Sequence, residues 1–131
     1  PEDYYATVTD PLSVRRFDVL RGVATSDIPS AGGVLPALFD ARANIDSSGP
    51  GQDVGYFDDA GVNGLIDAAQ AQSDPAARAA AWRQVDEAVR ERGGYVALAA
   101  TRALHLRGAD VVDYEDHAVG GGVDLATVAV R

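Results

Sequence analysis

The chain has 131 residues, of which 47% are apolar, and 20 acidic side chains against 11 basic ones give it a net charge of −9. This length suits one domain with a hydrophobic core, and the negative charge argues against binding to nucleic acid or to an anionic membrane, both of which attract basic patches. The absence of cysteine excludes disulfides, thiolate metal sites and thiol nucleophiles.

The chain opens with a predicted helix followed by a predicted strand. Asp3 to Thr9 is predicted to form a short helix that ends at Asp10-Pro11, because a residue before proline avoids the helical region. Phe17 to Ala24 is predicted to form a strand with apolar side chains on both faces. Such a strand is typical of a sheet that is covered on both sides, so the sequence favours an α/β fold.

A helix start and a long loop follow the predicted strand. Ser26-Asp27-Ile28-Pro29 indicates the start of a helix, because proline suits the first helical turn. We predict a helix over Ser30 to Phe39, in which Pro36 introduces a kink or a break. Asn44 to Gly55 is rich in Gly, Ser, Asn and Asp and is predicted to be a loop.

Two amphipathic helices are predicted next. The first begins at Asp58-Asp59 and runs to about Gln72, and the second begins at Ser73-Asp74-Pro75 and runs to about Arg92, where Gly93-Gly94 ends it. Apolar residues recur at helical spacing in both segments. The residues predicted to be buried are Val62, Leu65, Ile66 and Ala69 in the first helix and Ala81, Trp82, Val85, Ala88 and Val89 in the second.

The remaining chain is predicted to be extended. Tyr95 to Leu106, Val111-Val112 and Val123 to Val130 have the apolar, β-branched composition of strands, and Gly120-Gly121-Gly122 is predicted to be a flexible joint between the last two.

The sequence favours no catalytic, metal or cofactor site. The histidines His105 and His117 have no serine in a Gly-x-Ser-x-Gly elbow to act with, so a Ser-His-Asp site is unsupported. The loop from Asn44 resembles the first half of a calcium loop, but Gly55 stands where a bidentate glutamate is required. We therefore expect no enzyme activity, no bound metal and no cofactor.

Arg21 and Asp27 are the pair that binding chemistry singles out, because they flank the end of the predicted strand. An aspartate can pair with an amine and an arginine can hold a carboxylate through two hydrogen bonds, so together they could clamp a zwitterion. The alternative is an ordinary surface ion pair, which contributes about 0–1 kcal/mol.

Short motifs along nearly the whole chain occur in an order that resembles one protein family. They are Phe17-Asp18-Val19-x-Arg21, Asp27-x-Pro29, Leu38-Phe39, Gly55-Tyr56-Phe57-Asp58-Asp59, Val62-Asn63-x-Leu65-Ile66-Asp67, Asp74-Pro75-Ala76-Ala77-Arg78, Tyr95-Val96-x-Leu98 and Val123-Asp124-Leu125-Ala126-Thr127-Val128. Together they resemble the extracellular solute-binding proteins of family 5, the oligopeptide and dipeptide receptors of ABC importers.

The resemblance implies that this chain is the C-terminal fragment of a two-lobed, periplasmic-binding-protein-like (type II) α/β fold. Residues 1–99 would belong to the C-terminal lobe, lobe II. Residues 100–131 would cross the hinge, and the terminal strand would return to lobe I.

The resemblance also places a ligand site on the run that begins at Arg21. In peptide-binding members the aspartate matching Asp27 pairs with the α-amino group of the ligand, and the arginine matching Arg21 lies in the same site and can meet a carboxylate. Ser26 lies beside Asp27 in this run. Ala24 stands where the family usually places tryptophan, and Ile28 stands where close relatives carry an aromatic residue. The pocket is therefore expected to be wider and less aromatic, at a cost of about 1 kcal/mol of affinity for a lost stacking wall.

The function that the resemblance implies is transport without catalysis. A peptide would bind between the lobes, and the closed receptor would deliver it to an ABC permease in the membrane. We expect the full-length protein on the extracellular or periplasmic face, anchored to the cytoplasmic membrane as a lipoprotein.

Three alternatives stay open at this point. They are a receptor for another solute such as a sugar, a nickel complex or an opine, an enzyme that uses the acidic loop, and an interaction domain without a small ligand. Because the family partner of the last strand would lie outside this chain, we also expect the fragment to dimerise or to swap its C-terminal strand.

Overall fold

The structure is a computed structural model that describes residues 3–14, 16–22, 28, 30–45, 51–100, 104–116 and 122–131. Its elements in chain order are α1 (Asp3–Thr9), α2 (Pro11–Val14), a 3₁₀ turn (Ala31–Gly33), α3 (Leu35–Phe39), α4 (Ala41–Asn44), α5 (Ala60–Gln70), α6 (Pro75–Glu91), β1 (Val111–Val112) and β2 (Ala129–Val130). The described residues below 23 and from 30 to 96 form one compact unit, and Ile28 with the described residues from 97 onward forms a second.

The first helix has the predicted bounds, and the chain turns into a second helix at the predicted break. α1 spans Asp3–Thr9, as the sequence predicts. Asp10 then caps the single turn of α2, since its Oδ2 accepts a hydrogen bond of 3.0 Å from the amide of Ser13. A hydrogen bond from the Ser13 hydroxyl, with those from the amides of Leu12 and Ser13, holds the pKa of Asp10 below its ordinary value.

Two predicted strands are wrong in the residues that the structure describes. The segment 17–22 has no strand, and Phe17 and Val19 are 49% and 86% exposed instead of covered. The described part of Tyr95 to Leu106 also lacks a strand, and Leu98 is 85% exposed. A strand needs a neighbour for its backbone hydrogen bonds, and no described residue pairs with either segment.

The helix predicted over Ser30 to Phe39 is split in two. Ser30 caps the 3₁₀ turn by accepting from the amide of Gly32 at 3.2 Å, so the helical chain begins one residue after Ser30, whereas the predicted start at Pro29 lies outside the described residues. Pro36 lies in the first turn of α3, where its missing N–H costs no hydrogen bond. The predicted split is therefore confirmed, but the break lies at Val34, and Pro36 is the second residue of the new helix.

One short helix lies where a loop or no element was predicted. Asp40 caps α4 by accepting from the amide of Arg42 at 3.1 Å, and Asn44 is the last helical residue. The predicted loop beginning at Asn44 agrees with the turns over residues 51–55, and its middle, 46–50, lies outside the described residues.

The core of the first unit lies between α5 and α6. Both helices have the predicted caps, because Asp59 accepts from the amide of Val62 and Asp74 from that of Ala77, each at 2.8 Å. The predicted apolar stripes face inward, with Leu65 and Ala81 only partly buried. The buried core residues are Leu35, Phe39, Val62, Ile66, Ala69, Trp82, Val85, Ala88 and Val89.

Ion pairs fasten the shorter elements to this core. Arg42 in α4 binds Asp67 of α5 with both of its terminal nitrogens at 2.8 Å and also reaches Asp40. Arg92, just after α6, lies 2.8 Å from Asp59 at the start of α5. The hydrogen bonds from Arg42 lower the pKa of both Asp67 and Asp40.

The second unit contains one small antiparallel sheet. Val111 pairs with Val130 and Val112 with Ala129, which confirms the predicted strand at Val111-Val112 and shortens the one predicted from Val123. Val123 takes part only in an isolated bridge to Asp116. The described residues thus combine helices with one small sheet, and the assignment of residues 1–99 and 100–131 to lobes and a hinge stays a prediction.

Candidate functional site

The structure describes two of the five residues predicted for the ligand site. Arg21 belongs to the first unit, and Ile28 belongs to the second and is 52% exposed. Ala24, Ser26 and Asp27 lie outside the described residues, so their predicted part in the site stays a prediction.

Arg21 lies at the edge of an open cleft of about 410 Å³. One wall is α1 and the other is the irregular segment before Gly22. The lining residues are Asp3, Tyr4, Thr7 and Val8 from α1 and Phe17, Val19, Leu20 and Arg21 from the second wall. A volume of this size is in the lower part of the range of small-molecule sites, which is about 300–1,000 Å³.

A hydrogen bond between the two walls holds the backbone of Arg21. The hydroxyl of Tyr4 donates to the carbonyl oxygen of Arg21, across 17 residues of sequence. The bond uses the main chain, so it fixes the position of Arg21 and leaves the guanidinium for other partners. Among the described residues, no carboxylate forms an ion pair with Arg21.

The cleft combines apolar surface with opposite charges. Val8 is 1% exposed beneath it, while Phe17 and Val19 leave apolar surface open to solvent. Asp3 contributes a carboxylate and Arg21 a guanidinium, and the two form no ion pair with each other. Apolar walls with a few charged groups suit a small amphipathic or zwitterionic ligand.

The chain directly after the predicted site run is anchored on the core. Ser30 caps the 3₁₀ turn, and Gly32 lies against the indole of Trp82, where a Cβ would come within 3.0 Å of Cζ2. Glycine at this position allows the backbone to approach the ring closely. Within the first unit, Tyr4 therefore holds the backbone of Arg21, and the 3₁₀ turn after Ser30 packs against Trp82.

His105, Tyr114 and Asp116 form a polar cluster in the second unit. His105 Nε2 lies 3.7 Å from Asp116, and the hydroxyl of Tyr114 donates to the same carboxylate at 2.7 Å. Desolvation of the phenol, followed by this hydrogen bond to Asp116, raises the pKa of Tyr114. The cluster brings an imidazole close to a carboxylate, and its contacts with described residues involve no serine or threonine hydroxyl that could act as a nucleophile.

The described part of the chain contains no candidate metal centre and no helix that could span a membrane. No group of three or more His, Asp or Glu side chains is arranged to hold a metal ion there. None of its helices is both long and apolar enough to cross a bilayer.

The wall made by α1 was missed by the sequence analysis. Asp3, Tyr4 and Thr7 belong to a segment whose only sequence signal is helical, so nothing marks them as neighbours of Arg21. A contact across 17 residues between a helix and an irregular segment has no periodic signature.

Comparison with known proteins gives one informative similarity. No protein-family model matches the chain. No curated protein matches it significantly. Among solved structures, the chain is similar to the protein named clavulanic acid biosynthesis oligopeptide binding protein 2, with 31% sequence identity and a TM-score of 0.81. The match covers 95% of this chain and 23% of that protein, so the chain spans about a quarter of its length. The similar protein is named as a binding protein and not as an enzyme.

Proposed function

We propose that the chain is the C-terminal part of a peptide receptor of the solute-binding protein family 5, which serves an ABC importer. The observation that supports this most strongly is the structural match, at 31% identity over 95% of the chain, to a protein named as oligopeptide-binding. The family motifs found in the sequence point to the same class independently of that match. In this proposal residues 1–99 belong to lobe II, and residues 100–131 cross the hinge and return to lobe I.

The proposed site is built on the run from Arg21 to Ile28, with peptide enclosed between the two lobes. Arg21 supports this role because its main chain is held by Tyr4, while no described carboxylate neutralises its side chain. Asp27 would pair with the α-amino group of the peptide, and Ala24, Ser26 and Ile28 would complete the wall. Closure of the lobes over the ligand shifts an open–closed equilibrium, and the closed form docks on a membrane permease.

The location and the assembly follow from the same proposal. The receptor acts outside the cytoplasmic membrane and is anchored to it as a lipoprotein. It makes and breaks no bond, so we propose a binding protein and no enzyme activity. In isolation the 131-residue chain dimerises or swaps its terminal strand, because surface that the rest of the receptor would cover is exposed.

A second ligand class is favoured by one feature of the sequence. Ala24 and Ile28 replace the aromatic residues expected at the pocket wall, and Ile28 leaves half of its surface exposed. A less aromatic wall would suit another small solute, such as a sugar, a nickel complex or an opine, on the same fold.

The proposed role of Asp27 is tested with two forms of one peptide. Calorimetric titration of the full-length receptor should show that Asp27→Ala weakens a peptide with a free α-amino group about tenfold or more, the loss expected for a charge-assisted hydrogen bond. The N-acetylated form of the same peptide should lose little affinity. Equal losses for the two peptides would remove Asp27 from this role, and binding of a sugar or metal complex in place of either peptide would favour the second class.

A further inference from the structure

A buried carboxylate, that of Asp53, lies in the turn before α5. Asp53 is only 2% exposed. Its Oδ1 accepts a hydrogen bond of 3.0 Å from the amide of Phe57, and its carbonyl oxygen accepts one of 2.9 Å from the amide of Tyr56. Its Oδ2 is buried and has no hydrogen-bond partner among the described residues. A buried carboxylate oxygen without a partner is costly when it carries charge.

The surroundings of Asp53 favour its neutral form. Burial raises its pKa to about 6, against the opposing effect of the backbone amides of Phe57 and Gly55. The neighbouring carboxylate of Asp58 adds to the rise, and the phenol of Tyr56 also interacts electrostatically with Asp53. No described arginine forms an ion pair with Asp53 to offset its charge. A proton on Oδ2 removes the buried charge and leaves Oδ1 able to accept from Phe57.

The turn held by Asp53 is also the attachment point of α1. Tyr56 has a positive φ of 51°, a backbone conformation that is unfavourable for a side-chain-bearing residue and that the turn must maintain. In this conformation its hydroxyl donates to the carbonyl oxygen of Thr9 at 3.0 Å, and Thr9 is the last residue of α1. α1 is one wall of the cleft that contains Arg21. The turn therefore contacts the end of α1 through the side chain of Tyr56.

We propose that Asp53 is a proton-operated latch, which holds the turn 53–57, and through Tyr56 the end of α1, more firmly when its Oδ2 is protonated than when it is ionised. Because α1 forms one wall of the Arg21 cleft, this wall is held more firmly in mild acid and less firmly at neutral and alkaline pH. The latch does not depend on the proposed peptide-binding function, because it can be measured in the fold itself without a ligand.

The direction of the pH effect follows from the two protonation equilibria. The closed turn binds the proton with a pKa of about 6, whereas a carboxylate exposed by opening has the ordinary value of 3.8. Stabilisation of the closed turn is therefore complete at pH below the ordinary value and is lost as pH rises through the folded value. A difference of about two units corresponds to a change of up to about a hundredfold in the opening equilibrium.

Hydrogen exchange of the 131-residue chain tests the latch directly. The amides of Tyr56 and Phe57 should be protected up to about a hundredfold more at about pH 4 than at about pH 8, after correction for the intrinsic exchange rate at each pH. Asp53→Asn, which keeps the shape of the side chain and cannot ionise, should remove this difference. The matched control Asp58→Asn changes an exposed neighbouring carboxylate. This variant should keep most of the difference in protection between the two pH values.

A second variant separates the latch from its connection to α1. Tyr56→Phe removes the hydroxyl that reaches Thr9. The amides of the turn should keep their pH-dependent protection, while the amides of α1 should lose theirs. Equal protection of the wild-type turn at the two pH values, or the same pH dependence in Asp53→Asn, would overturn the proposal. If Asp53→Asn does not fold, NMR titration of the wild-type Asp53 carboxyl carbon decides: a midpoint near 6 supports the latch, and one near 3.8 overturns it.

Discussion

Gly94 lies directly against Val89, and the contact leaves no room for a side chain. The amide of Gly94 donates to the carbonyl of Val89 at 2.9 Å, and that of Gly93 donates to Arg90 at 3.0 Å, which together form a Schellman motif at the end of α6. A Cβ on Gly94 would come within 2.5 Å of Val89 Cγ1 and within 3.0 Å of the ring of Phe57. Val89 is fully buried, so it has no space into which to move.

We expect Gly94→Ala to destabilise the chain by about 1–3 kcal/mol, the usual cost of overpacking a core. Urea unfolding followed by circular dichroism measures the change in the free energy of unfolding. The added methyl group would push Val89 and Phe57 apart and weaken the end of the α6 helix.

Gly64→Ala is the matched control for that substitution. Gly64 lies on the exposed side of α5, and a Cβ there would have no neighbour within 4 Å. Alanine is favoured over glycine in a helix interior by about 1 kcal/mol, so this variant should be more stable than the wild type. Destabilisation of both variants by the same amount would show that the loss at Gly94 is not caused by its contact with Val89.

The ion pairs of Arg42 are predicted to stabilise the fold more at higher pH, whereas Asp53 stabilises its turn more at lower pH. The hydrogen bonds from Arg42 lower the pKa of Asp67 and of Asp40 in the folded chain. A lowered carboxylate pKa contributes stability above the ordinary value of 3.8, and this contribution is lost as pH falls through the folded value. Arg42→Gln should therefore reduce the free energy of unfolding at about pH 6 and have a much smaller effect at about pH 3.

Arg83→Gln is the control for the Arg42 experiment. Arg83 is exposed on α6 and forms no ion pair with a described residue, so its replacement should change stability little at either pH. Asp53 titrates in the wild type and in both variants. Its effect on the free energy of unfolding therefore cancels when each variant is compared with the wild type at the same pH. A penalty for Arg42→Gln that is the same at the two pH values would show that the ion pairs do not cause it.

The exposed apolar residues of the second unit predict self-association of the isolated chain. Val130 in β2 is 71% exposed and Leu125 is 82% exposed, and the sheet has only two paired residues in each strand. An exposed strand edge with apolar side chains favours pairing with another chain. Light scattering at increasing protein concentration should show a dimer, and Val130→Lys should shift the chain toward the monomer.

A substitution in the first unit provides the control for the dimer. Leu12 is 77% exposed and belongs to the first unit, so Leu12→Lys adds the same charge at an equally open position outside the sheet. This variant should dimerise as the wild type does. A wild-type chain that stays monomeric at high concentration would contradict the predicted association.

The elements that could be predicted are those with local signals. α5 and α6 have an aspartate cap at the start and an apolar residue at every helical turn, and Gly93, two residues after the end of α6, has a φ of 74°. These features depend on residues a few positions apart. The bounds of α5 and α6 and most of their buried faces follow from them.

The elements that could not be predicted depend on distant partners. The apolar alternation of Phe17 to Leu20 is the pattern of a strand, but a strand forms only beside another strand, and none of the described residues provides one. The bond from Tyr4 to Arg21 and the bond from Tyr56 to Thr9 likewise join residues 17 and 47 positions apart. The α1 wall of the candidate site was missed for this reason.

Arg21 is the described residue on which the proposed peptide-binding site most depends. The most direct test is calorimetric titration of the full-length receptor with one di- to pentapeptide in two forms. One form has a free C-terminal carboxylate, and in the other this group is replaced by an uncharged amide. We predict that the wild type binds the free form and that Arg21→Gln weakens this binding about tenfold or more, the loss expected for a charge-assisted hydrogen bond. The amidated form should bind the wild type and the variant alike. Arg16→Gln, which changes an exposed arginine outside the cleft lining, should leave both affinities unchanged. Absence of saturable peptide binding by the wild type, or an equal loss for the two forms in Arg21→Gln, would contradict the account.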